Sequence, residues 1–138
     1  MKQWVSLITL GVKDMKTARS FYEKLGWVAT NSSNEFVTFF QMNGYALGLY
    51  GQEMLSKDIG LTTKPAPGGI TLAMNVESPQ EVDEAMEFVL SCGATISTPA
   101  SKTDWGGYVG YFADPDGHIW EITYAPGIPL NDLGIDFS

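Results

Sequence analysis

The sequence is short of cysteine, histidine, basic residues and long apolar runs. Its single cysteine, Cys92, can close no internal disulfide, which excludes a disulfide-stapled scaffold. Eight basic residues stand against sixteen acidic ones, for a net charge of −8, and no Lys/Arg cluster offers a stripe that could track phosphates. Nucleic acid is therefore not an expected partner, whereas an acidic surface tolerates cationic ligands. No apolar run approaches the ~18 residues that a membrane span needs. The opening MKQWVSLITLGVKD leads into a strand pattern rather than the apolar core of a signal peptide, so a cytoplasmic location and no membrane contact are expected.

What is present is enough for one domain: 138 residues, of which 44% are hydrophobic. The order of signals runs twice along the chain. VSLITLGVKD reads as a strand leading to Asp14, a good N-cap, followed by Met15, Ala18, Phe21, Tyr22 and Leu25 at helical spacing and by Gly26 as a stop. GGITLAMNV is again a strand. Ser78-Pro79-Gln80-Glu81 is a capping box with proline at the first helical position, Val82, Ala85, Met86 and Val89 form the apolar stripe, and Gly93 is the stop. Aromatic-rich strands follow each helix, and Asn43-Gly44 and Asp116-Gly117 serve as turn pairs, with Asp116-Gly117 expected at positive φ. GQEMLSKDIG reads as a short helix with Met54 and Leu55 inward, and LTTKPAPGG as a linker.

These signals predict an α+β fold of two tandem βαβββ units, at about 3–60 and about 70–125, with a linker at about 61–69 and a C-terminal tail at 126–138. A sheet with one helix leaves its other face open. Two such units are expected to form a curved mixed sheet with a concave cleft, the default place for a small ligand.

VKDMKTARSFYEKLGW and, above all, WGGYVGYFADPDGHIWE resemble the glyoxalase/bleomycin resistance/extradiol dioxygenase (vicinal oxygen chelate) superfamily, over roughly Val5 to Tyr124. More narrowly they resemble a bacterial glyoxalase-like subgroup of unassigned substrate. In its metal-using members, the resemblance implies, four ligands come from the first and last strand of each unit. The matching positions here are Leu7, Gly48, Thr71 and Glu121, and only Glu121 is a usual donor. A protein-built divalent site normally needs three or more His, Asp, Glu or Cys ligands, so no metal or other cofactor is expected.

Alternation along HIWEITY places Ile119, Glu121 and Thr123 on one face, and His118, Trp120, Ile122 and Tyr124 on the other. Glu121 is then a polar group of the cleft, a catalytic acid/base, or an acid bonded to a neighbouring hydroxyl such as that of Thr71. His118 reads as a turn-end residue and Cys92 as an inert core thiol. Gly106, Gly107 and Gly110 strip side chains from around Trp105 and Tyr108, which are expected as pocket residues, while Tyr111 and Phe112 are expected in the core. Trp4, Phe39 and Phe40 are assigned to core or subunit contact.

The expected ligand-binding set is Leu7, Thr9, Gly48, Tyr50, Thr71, Trp105, Tyr108, Glu121 and Thr123. The leading functional expectation is a metal-free binder of a small organic molecule, paired as a homodimer because exposed sheet edges need covering. The alternatives are a lyase, isomerase or dioxygenase of the superfamily, run by Glu121 or by a metal recruited with help from substrate or a partner chain, and a structural or interaction module with a filled cleft.

Overall fold

Each half of the chain opens with a strand and a capped helix. In the computed structural model, which describes residues 1–137, the halves are two compact units, Met1–Ala66 and Pro67 onward.

In the first unit, strand β1 (Leu7–Val12) leads to Asp14, whose carboxylate accepts the Thr17 N–H at 2.8 Å and starts helix α1 (Met15–Lys24). The Trp27 N–H returns to the Tyr22 carbonyl at 3.2 Å and closes the helix just past Gly26. Strands β2 (Val37–Gln41) and β3 (Ala46–Gly51) complete a sheet of order β1-β3-β2, with β1 parallel and β2 antiparallel to β3. Leu10, Val12, Phe40, Leu47 and Leu49 bury one sheet face with Ala18, Phe21 and Tyr22 of α1. The first of the three strands expected after α1 is reduced to an isolated bridge, Ala29 to Phe40. Its continuation is rich in Asn and Ser: Asn34 Oδ1 accepts the N–H groups of Phe36 and Val37, and Ser33 Oγ that of Phe39. These side-chain bonds take the place of a ladder.

Helix α2 (Gln52–Ile59) forms as expected, but Met54 is exposed rather than inward. It is Leu55 that meets the sheet, where a Cβ added to Gly11 would lie 3.2 Å from its side chain. Phe40 is buried and Phe39 half-buried, whereas Trp4 belongs to no core and lies exposed with the Lys2 ammonium over its ring.

The second unit repeats the plan in full. Strand β4 (Leu72–Val76) precedes α3 (Pro79–Ser91), where Ser78 Oγ accepts the Glu81 N–H and the Glu81 carboxylate returns to the N–H of Glu77, one residue before the cap. Strands β5 (Thr95–Lys102), β6 (Tyr108–Ala113) and β7 (Ile119–Tyr124) give the order β4-β7-β6-β5, again with first and last strands parallel and adjacent. Val82, Met86 and Val89 of α3 pack on Phe112, Trp120 and Ile122, and Cys92 is buried at the helix end. Strand β5, which holds Pro99, breaks register twice against β6, between Ile96 and Thr98 and between Thr98 and Ser101. Within the tail, β8 (Leu130–Asn131) and β9 (Gly134–Ile135) form a small hairpin.

The β6–β7 turn differs from the expected geometry. Only the glycine of each turn pair takes positive φ, +81° at Gly44 and +88° at Gly117, while Asn43 and Asp116 keep ordinary backbone. The Gly117 N–H reaches the Asp114 carbonyl at 3.0 Å, so Asp114-Pro115-Asp116-Gly117 is a proline-led turn closed by a left-handed glycine. The buried Asp114 carboxylate secures it: Oδ1 accepts the N–H groups of Asp116 and His118, each at 2.9 Å. Replacing Gly117 by Val should cost ~1–3 kcal/mol through strain. Asp114→Ala, which strands two N–H donors, should cost at least ~2 kcal/mol. His118→Ala should cost less than either, because its backbone N–H bond survives. Urea unfolding midpoints of the three variants check this order, and a His118→Ala loss equal to the others would contradict it.

Candidate functional site

Glu121 lies on the face of the second sheet that carries no helix of its own unit. The alternation expected for β7 holds: Trp120 and Ile122 are buried on the α3 side, and Glu121 is half-buried on the other. Antiparallel register sets Tyr111 directly opposite Glu121, and parallel register sets Ala73 on its other side. The Thr123 hydroxyl donates to Glu121 Oε1, and the Tyr111 phenol stands across the strand pair from the same carboxylate. Burial first, and then the nearby Glu121 carboxylate, raise the Tyr111 pKa above its ordinary value of 10.0. Tyr111 therefore stays a protonated donor at neutral pH. Glu121, Tyr111 and Thr123 form one polar cluster, and among the described residues neither ion pair involves Glu121.

Several expected site residues are placed differently. Thr71 is exposed just before β4, and the hydroxyl on Glu121 is that of Thr123 instead. Thr123 itself is buried, so it orients the carboxylate rather than lining a surface. Tyr111 is half-buried on the Glu121 face rather than in the core, whereas Phe112 is in the core, stacked on Trp120. The strand–turn–strand count could have found Tyr111: with the five residues Asp114–His118 between the strands, Ala113 pairs with Ile119 and, two residues along each strand, Tyr111 with Glu121.

Tyr108 pairs with Tyr124 and faces α3, on the side opposite Glu121, where its phenol donates to Asp83 Oδ1 at 2.9 Å. That bond raises its pKa. At Gly110 the missing side chain makes room for the core rather than for a ligand. Met86 of α3 occupies the place of a side chain at Gly110, since a Cβ there would come within 2.8 Å of its sulfur. The Trp105 ring lies over Gly107, 2.0 Å from where a Cβ would be, and is itself largely exposed. Gly107 precedes Tyr108, so its missing side chain, and the ring covering it, belong to the Glu121 side.

In the first unit Leu7, Thr9, Gly48 and Tyr50 do share one face, away from α1. Gly48 is its floor: a Cβ there would meet Leu7 at 3.3 Å and Phe39 at 3.4 Å. Leu7 and Thr9 are exposed, and Tyr50 is tied down by donating to Asp58 of α2 at 3.0 Å, a bond that raises its pKa.

The superfamily's metal does not fit these residues. The first unit offers Leu7 and Gly48 at the matching positions, with no donor side chain, and the second offers Thr71 and Glu121. Among the described residues no three His, Cys, Asp or Glu side chains gather as a metal site would require.

Residues 4–122 match the Glyoxalase/Bleomycin resistance protein/Dioxygenase superfamily. A glyoxalase-related enzyme from Fulvimarina pelagi superposes with a TM-score of 0.91 at 38% identity, covering 99% of both chains. A lactoylglutathione lyase from Agrobacterium tumefaciens shares the fold, with a TM-score of 0.68 at 19% identity over 90% of this chain and 95% of its own. An uncharacterised protein of Mycobacterium bovis is 28% identical over 92% of this chain and 84% of its own.

A raised folded-state pKa makes Tyr111 contribute stability that is fully present below its ordinary value of 10.0 and lost as pH rises through the folded value. Glu121→Gln should lower the Tyr111 pKa only part of the way, because burial remains. Alkaline titration of the Tyr111 ring resonance by NMR checks this, and a pKa unmoved by Glu121→Gln would separate the two side chains.

Proposed function

The chain belongs to the glyoxalase/bleomycin resistance protein/dioxygenase superfamily, and from that premise we propose that it binds a small organic ligand against Glu121 without a resident metal. One observation carries the reading: a half-buried carboxylate, held by the Thr123 hydroxyl and faced by the Tyr111 phenol, sits on the sheet face that carries no helix of its own unit, with no Lys or Arg partner among the described residues. A carboxylate partly removed from water gains most from a cationic or hydrogen-bond-donating ligand group. The net charge of −8 favours the same ligands. The donor-poor positions Leu7, Gly48 and Thr71 support the metal-free reading.

The protonated Tyr111 beside Glu121 supports a second reading, metal-free proton transfer next to a carbonyl. Glu121 would take the proton from carbon and return it, while the phenol donates to the carbonyl oxygen as charge develops there. Exchange of substrate C–H for deuterium, lost in Glu121→Gln and in Tyr111→Phe, would distinguish it from binding alone.

Calorimetric titration with benzylamine and phenylguanidine, against neutral benzyl alcohol, tests the binding reading. The cations should bind better than the alcohol, and Glu121→Gln should weaken them by about tenfold or more while the urea midpoint stays nearly unchanged. A large stability loss with unchanged binding would make Glu121 a structural residue. Metal analysis of the purified protein should find no stoichiometric Zn, Ni, Mn or Fe; near one equivalent per chain, lost in Glu121→Gln, would overturn the metal-free reading.

A further inference from the structure

The side of the second sheet that faces α3 holds a feature unrelated to Glu121. Lys102, Tyr108 and Tyr124 are ladder partners on β5, β6 and β7, so their side chains stand in one row on that side. Near this row, Asp83 in the first turns of α3 accepts the Tyr108 phenol on Oδ1, which leaves Oδ2 open. These four residues, with Gly106 and Gly107, line a cavity of about 480 Å³, within the usual range for small-molecule sites of about 300–1,000 Å³. The glycine wall is fixed, because the Gly107 N–H donates to Thr103 Oγ1 at 2.9 Å and the Gly106 N–H to the Thr103 carbonyl at 3.2 Å.

The charges decide what such a cavity can hold. Lys102 and Asp83 line it together, yet neither takes part in an ion pair among the described residues. A ligand of one charge would satisfy one wall and leave the other unpaired. A zwitterion answers both, and the Tyr108 and Tyr124 rings offer flat surface to a planar group. We propose that this cavity is a second binding site, for a free α-amino acid with an aromatic side chain, its carboxylate toward Lys102 and its ammonium toward Asp83. The site is independent of the Glu121 reading, since the two lie on opposite sides of the sheet.

Amide NMR titration of the full chain with L-phenylalanine, phenethylamine and 3-phenylpropionate at millimolar concentration tests it. Phenylalanine should shift the Gly106, Gly107 and Tyr108 amides, and each analogue lacking one charge should bind about tenfold more weakly. Lys102→Met should weaken phenylalanine by a similar factor and leave phenethylamine unchanged; Asp83→Asn should weaken phenylalanine and leave 3-phenylpropionate unchanged. Glu121→Gln should alter none of these. No shift at Gly106 or Gly107, equal binding of the three probes, or shifts gathered instead around Tyr111 and Glu121 would overturn the proposal. If Asp83→Asn fails to fold, the Lys102→Met comparison decides alone.

Discussion

Between β6 and β7 the chain reverses over a few residues, and a single buried carboxylate holds the reversal in place. Asp114 gathers the N–H groups of Asp116 and His118, while its own N–H meets the His118 carbonyl at 3.0 Å. Register propagates from there along both strands, setting Tyr111 against Glu121, Gly110 against Ile122 and Tyr108 against Tyr124. A slip of one residue would turn Glu121 toward α3 and send Trp120 and Ile122 outward. The polar cluster on one side of the sheet and the Phe112–Trp120 stack on the other thus share one cause.

The two units put different chemistry on the same plan. Gly48 and Glu121 stand equally far beyond their turn glycines, Gly44 and Gly117, on the strand that pairs parallel with the first strand of the unit. In the first unit that position is bare, with Leu7 and Phe39 packed around it. In the second it carries the acid, with the Thr123 hydroxyl bonded to it and Tyr111 across from it.

The helices were legible because capping is local: Asp14 and Ser78 each need only a donor three residues ahead, and both find it. The succession of strands and helices along the chain followed from repetition of the same signals, while their pairing and direction in the sheets did not. What misled was chemistry that local pattern cannot resolve. Asn and Ser after Ala29 spent their side chains on the backbone and left one bridge where a strand was expected. Gly110 looked like room for a ligand but is room for Met86, a contact between helix and strand that only the packed unit reveals. Glu121 was found from alternation and from the family resemblance; its neighbour Tyr111 required the register, and hence the turn, to be known first.

Strand β5 borders its sheet, pairing only with β6. An outer strand that is straight and regular is a template on which another chain's backbone can zip. Pro99 offers no N–H to such a visitor, and the two breaks in register bend the row of free carbonyls and amides out of line. Irregularity at this border therefore works as a guard against fibrous or edge-to-edge self-association during folding and at high concentration.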